Sequence, residues 1–253
     1  LISYFHASDV LERFMESMKI RKPIHLRDQV YSRVKRALLE GIYSQGERVT
    51  EDKVAMHLGV SRTPVREALR LLEELGYLDS RPSGGFSVPM LNERNIVDLI
   101  EVRMLLEPRA AQEAVKSATD EQLDDLKSIL SQSRAAAKGR DVFDFYASIQ
   151  EFWDRFWLMS DSAGLYACLT KLTEQYHYQY LSVIALDNLE VRLGLVDLLE
   201  DLQMHLAAHN SKKCVETIKK HLKFKKKELL RVIESLNAKS SQRVGDARKL
   251  EQV

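Results

Sequence analysis

The side chains with the most specific chemistry in this sequence are Arg62, Thr63, Arg66 and Arg70, which follow Ser61 in the stretch Val60-Ser61-Arg62-Thr63-Pro64-Val65-Arg66. On a helix the three arginines recur every four residues and share one face. A guanidinium fork can donate to both major-groove acceptors of a guanine, worth about 1–3 kcal/mol of discrimination per good pair, and hydroxyls suit phosphate oxygens. The chemistry on offer is recognition of duplex nucleic acid, not bond-making. The competing use is intrahelical pairing of Arg66 with Glu73 or Arg70 with Glu74, worth only a few tenths of a kcal/mol. Nucleic-acid contact outweighs it for Arg62 and Arg66 and stands level with it for Arg70.

Other reactive residue types carry less. His205 and His209 sit four apart and could chelate a metal from one helix, but at about 100° per residue they turn away from the face of Leu199, Gln203 and Leu206. An exposed polar face accounts for them better. His177, between Tyr176, Tyr178 and Tyr180, reads as a core or interface residue. Cys168 and Cys214 are far apart with no CxxC neighbour, which suits a reducing cytoplasm and gives no zinc framework. HExxH, GxSxG, P-loop and GxGxxG signatures are absent, so a helical metal-dependent enzyme is the weakest reading.

The elements that position the arginines follow from periodicity and punctuation. Val30, Val34, Ala37, Leu38 and Ile42 recur at helical spacing before a loop with Gly41 and Gly46. Thr50 can cap a second helix with Glu51 and Asp52 in its first turn and Val54, Ala55 and Leu58 inside; Gly59 ends it. Ser61 caps a third, with Pro64 in its first turn and Val65, Leu69, Leu72 and Leu75 on its apolar face. Helices joined by Gly59-Val60, the second presenting arginines, form a helix-turn-helix whose second helix fits a major groove. Residues 76–81 and 86–88 then read as two strands around Pro82-Ser83-Gly84-Gly85, a wing whose glycines allow close approach to a sugar-phosphate backbone. Arg48 before the second helix and Arg81 in the wing are candidate phosphate contacts, as are Gly84 and Gly85 through their backbone.

Four of the five prolines fall at or before Pro89, and beyond Pro108 there is none. Residues 91–236 therefore read as long helices, for example through Leu123, Leu126, Ile129 and Leu130. The expected fold is mainly α: an N-terminal winged helix-turn-helix over 21–90, then an all-α antiparallel bundle over 91–236. A short amphipathic extension over 1–20, with Val10, Leu11, Phe14, Met15 and Met18 on one side, precedes them, and 237–253 reads as a flexible polar tail. The 253 residues carry 38 basic and 37 acidic side chains and are 45% hydrophobic, which excludes a disordered or globally supercharged chain. Residues 21–85 alone hold 12 basic and 9 acidic side chains, so the basic bias lies on the smaller domain. No apolar stretch reaches the ~20 residues of a membrane-spanning helix.

The stretch from Gly46-Glu47-Arg48 through VSRTPVREALRLLEELGYL to the wing resembles the GntR family of bacterial winged-helix transcription regulators. Glu101-Val102-Arg103-Met104-Leu105-Leu106-Glu107-Pro108 and the helical remainder are similar to its FadR branch, in the subgroup with an FCD ligand-binding domain. The likeness covers about residues 26–235. It implies a homodimer on a short, approximately palindromic double-stranded operator, and with the cysteine usage the expectation is a cytoplasmic transcription regulator of the repressor type. Arg62, Thr63 and Arg66 would read and anchor, and Ser61 would hold a phosphate. Asp52 departs from the branch, which has a basic DNA-contacting residue there, so no contact from the second helix is carried over.

FCD domains commonly hold a divalent metal through an Asp and a His four apart, a His on a later helix and a His on the last helix. Matching Phe152-Trp153 to the family's Phe-His puts Ile149 at the Asp, Trp153 at the first His, Leu199 at the middle His and His221 at the last. One imidazole cannot replace three or four donors, and the expectation is no metal and no cofactor. Ile149, Trp153, Leu199 and His221, with Arg103 as a carboxylate anchor or the salt-bridge partner of Glu107, make a candidate pocket for an unidentified small-molecule effector. The alternative is that large side chains simply fill it, with the protein binding DNA constitutively. The lysines at 212, 213, 219, 220, 223, 225, 226 and 227 read as a solvated helix face.

Overall fold

The computed structural model describes residues 25–90 and 92–250, so the expected extension over 1–20 lies outside the described residues. The chain forms α1 (Leu26–Leu39), β1 (Arg48–Val49), α2 (Glu51–Leu58), α3 (Arg62–Glu74), β2 (Asp79–Ser80) and β3 (Phe86–Ser87). Then follow α4 (Glu93–Ser117), α5 (Asp120–Ala137), α6 (Val142–Leu158), α7 (Ala163–Thr173), α8 (Tyr176–Ala185), α9 (Leu189–Ala207) and α10 (Ser211–Leu250). It is a mainly helical protein, a winged helix-turn-helix followed by a helical domain.

Val30, Val34, Leu38 and Leu39 of α1 bury against α3, whose Val65, Ala68, Leu69 and Leu72 are completely covered. Ile42 does not continue the α1 face and is 66% exposed. Gly41 adopts φ +71°, and the Ile42 amide folds back onto the Ala37 carbonyl at 3.0 Å, a glycine cap that turns the chain away. Thr50 accepts a bond from the Lys53 amide and Gly59 ends α2 in the left-handed region, as the residue types dictate. Ser61 occupies the N-cap of α3 in extended conformation, but its hydroxyl makes no capping bond.

The wing is a three-stranded antiparallel sheet in the order β1-β3-β2, pairing Arg48 with Ser87 and Asp79 with Ser87 on its other side. The third strand, β1, escapes a periodicity reading because two residues carry no alternation.

In the helical domain α4 packs along α10, α5 lies between α6 and α9, and α9 also contacts α10. Side-chain caps, not prolines, set the helix starts: Asn92, Thr119 (a full capping box with Gln122), Asp141, Ser162 and Asn188 each accept from a first-turn amide. The core contains Leu126, Phe145, Phe152, Phe156, Leu199 and Leu222, all at or below 1% exposure. Helix α10 continues through residues 237–250, where polar composition suggested a tail. Ala, Lys, Gln and Arg are good helix formers, so a polar composition does not by itself end a helix.

The two domains share a packed seam. Tyr176 and Val183 of α8 belong to the winged-helix core, and the buried Tyr77 hydroxyl donates to Gln179. The Gln179 amide donates onward to the Thr173 carbonyl at 3.1 Å. Arg36 reaches Asp141 at 3.3 Å and stacks over Phe143. Among the described residues no helix is long and apolar enough to cross a membrane.

Candidate nucleic-acid interface and the helical-domain cavity

Helix α3 is built to present one side. Its apolar stripe is buried, which leaves Arg62, Thr63, Arg66 and Arg70 exposed on the other side, with the Ser61 hydroxyl exposed at the helix start. The arginine partners are not the intrahelical ones. Arg62 pairs with Asp52 at 2.5 Å and Arg66 reaches both oxygens of Glu51 at 3.1 and 3.2 Å, so the first turn of α2 holds both guanidinium groups. Sequence spacing within α3 could not reveal these pairs, because they cross from one helix to the next.

In the wing, the Arg48 guanidinium donates to the Gly84 carbonyl at 3.0 Å and lies at 3.5 Å from that of Ser83. It ties β1 to the tip in addition to offering positive charge. Gly84 and Gly85 have φ of +80° and +79°, and a Cβ on Gly85 would stand 3.3 Å from the Val49 carbonyl. Arg81 is exposed, with its backbone bonded to Gly84 and Gly85. These contacts bring Arg48, Arg81, Gly84 and Gly85 together at the tip of the wing.

In the helical domain, Ile149, Trp153, Ser182, Leu195, His221 and Lys225 are among the residues around a cavity of about 10 Å³, room for about one water. Leu199 and Arg103 are fully buried but do not line it. Arg103 Nε donates to Glu107 at 2.5 Å inside the core. Burial pushes the Glu107 carboxyl up, opposed by Arg103. His221 stacks on Trp153 with ring centres 4.8 Å apart, and neither ring nitrogen has a hydrogen-bond partner among the described residues. Burial, with Arg103 and Lys225 nearby, holds its imidazole pKa well below the usual value. A neutral ring beside two cations, with Ile149, Trp153 and Leu199 at the other three positions, does not fit a divalent metal. Among the described residues no three His, Cys, Asp or Glu side chains cluster.

Two surface readings change. His209 is not on the helix of His205: α9 ends at Ala207, and His209 turns to φ +50° with Nδ1 3.1 Å from the Val115 carbonyl. Lys225 is not solvated with its neighbours but is 6% exposed and donates to the Ser182 hydroxyl at 3.1 Å. It lies one turn after His221, on the inward side of α10. The side chain of His177 lies outside the described residues.

Comparison with known proteins gives these features a context. Residues 26–88 match the model of the bacterial regulatory proteins of the gntR family, and residues 98–224 match that of the FCD domain. The uncharacterized HTH-type transcriptional regulator YdhC of Bacillus subtilis is 29% identical over 65% of this chain and 74% of its own. The HTH-type transcriptional regulator McbR of Escherichia coli is 32% identical over 48% of this chain and 55% of its own. The solved structure of E. coli McbR/YncC superimposes with a TM-score of 0.67 at 24% identity, covering 85% of this chain and all of that one, a likeness of fold. The relatives are transcription regulators, not enzymes. Two family models that together take in both domains support one assignment: the chain belongs to the GntR family of DNA-binding bacterial transcription regulators, and its second domain is an FCD domain.

Proposed function

We propose that the protein is a homodimeric, sequence-specific repressor that acts in the cytoplasm on an approximately palindromic operator and responds to a small-molecule effector. One observation carries the reading: α3 buries Val65, Leu69 and Leu72 completely while Arg62, Thr63, Arg66 and Arg70 stand exposed on its other side. Arg62, Thr63 and Arg66 read and anchor in the major groove, Ser61 and Arg70 contact phosphates, and Arg48, Arg81, Gly84 and Gly85 present the wing to the backbone. The repressor direction is supported by the gluconate operon transcriptional repressor of Bacillus subtilis, 26% identical over 55% of this chain.

The test starts from a duplex selected out of random sequence with the purified protein. Arg62→Ala and Arg66→Ala each lower affinity for that duplex by about 1–3 kcal/mol, with dimer mass and helicity unchanged. Unaltered binding by both variants overturns the assignment of these residues.

A further inference from the structure

The cavity at the centre of the helical domain holds about 10 Å³, yet a groove of about 740 Å³ opens between the two domains. Small-molecule sites commonly measure about 300–1,000 Å³. One wall is α1 of the winged helix, through Tyr31, Lys35 and Arg36; the other is α6 and the end of α7, through Phe143, Tyr146, Trp157 and Glu174. Tyr146 and Gln150, bonded at 2.6 Å, line both the groove and the small cavity and so stand between them.

One cation in this groove lacks a carboxylate partner within ion-pair distance among the described residues. The half-buried Lys35 ammonium lies 4.9 Å from the centre of the Tyr77 ring and 5.9 Å from that of Tyr31, and it forms no ion pair among the described residues. Burial lowers its pKa, and Glu174 only partly offsets this. The groove's acids are differently placed: Asp154 accepts from the Tyr166 hydroxyl at 2.6 Å, and Glu151 lies 4.0 Å from Arg155. Glu174 acts on Lys35 from beyond ion-pair distance, so a place for an anion remains beside the ammonium, and the surrounding walls are largely aromatic.

We propose that this interdomain groove takes the effector, and that the effector is a small aromatic carboxylate with its ring among Tyr31, Phe143 and Tyr146. Its carboxylate is held by Lys35. This rests on the reading of the protein as an effector-responsive regulator and deepens it. A ligand touching α1 and α6 together has different affinities for different arrangements of the domains, which is the condition for it to alter operator affinity.

The experiment is calorimetric titration of the full chain with benzoate, indole-3-acetate, hexanoate and benzylamine. Benzoate or indole-3-acetate binds, and hexanoate and benzylamine bind at least about tenfold more weakly. Lys35→Met weakens the aromatic acid at least about tenfold, as loss of a charge-assisted bond requires, and Lys35→Arg restores part of it. His221→Phe in the central cavity leaves it unchanged; circular dichroism of each variant confirms the fold. No binding of either aromatic acid at millimolar concentration overturns the proposal. So does preference for benzylamine, or loss of binding in His221→Phe with Lys35→Met unaffected. Gel shifts of the same preparations on the selected duplex separate the two readings: intact DNA binding confines the failure to the groove, whereas its absence sinks the regulator reading.

Discussion

On the proposed reading Arg62 and Arg66 meet DNA with partners already in place, because Asp52 and Glu51 of the preceding helix hold them at 2.5 and 3.1 Å. Exposed pairs contribute about 0.2–1 kcal/mol, so a phosphate or guanine displaces the carboxylate at little cost. Asp52→Asn is expected to leave thermal stability nearly unchanged and to raise DNA affinity a few-fold, read by fluorescence anisotropy across a salt series. A fall in affinity would instead make Asp52 a positioning residue for Arg62. At His221 the structure predicts a pH effect. Its pKa is lowered in the fold, so the unfolded chain binds more protons below the ordinary histidine value near 6.5. Stability is therefore fully present above that value and falls on acidification through it, by at most about 1.4 kcal/mol per pH unit. His221→Phe, which keeps an aromatic ring against Trp153, removes that part of the slope between pH 7 and 5 in urea denaturation. An unchanged slope would show that His221 is accessible to protons.

At the scale of elements, the wing depends on backbone shape more than on strand length. Its strands have two residues each, and Arg48 bridges β1 to the tip through the Gly84 carbonyl. Gly84 and Gly85 both adopt left-handed φ, costing a side-chain-bearing residue about 1–2 kcal/mol, but only Gly85 also faces a backbone carbonyl at 3.3 Å. Gly85→Ala is therefore expected to destabilise more than Gly84→Ala in urea denaturation. It also weakens binding to the selected duplex, because the strain displaces the wing tip. Equal effects of the two substitutions would show that φ alone decides.

For the whole molecule, the seam between the domains is where the proposed ligand and DNA sites would be coupled. Tyr77 is wholly buried between them, its hydroxyl donating to Gln179, and its ring centre lies 5.9 Å from that of Tyr176. Burial pushes its phenol well above the usual value, so it remains a neutral donor. Tyr77→Phe leaves the buried Gln179 carbonyl without its partner and is expected to cost about 1–3 kcal/mol. Calorimetry should then show the winged helix and the helical domain separating into two unfolding transitions. A single unshifted transition would mean that the apolar contacts alone couple them.

The sequence by itself determined the helix-turn-helix, the helical character of the second domain and the family. The spacing of Val65, Leu69 and Leu72, the Gly59 turn and the arginines behind Ser61 are local, and local pattern sets helix limits and exposed faces. Composition marked out the helical domain because Thr119, Asp141 and Asn188 start helices through adjacent backbone amides. Only tertiary structure decided the partners of Arg62 and Arg66, the burial of Lys225, the position of His209 outside its helix, and the groove between α1 and α6. Each depends on which surfaces meet across distant segments, and a side chain's helical spacing says which way it points but not what stands opposite.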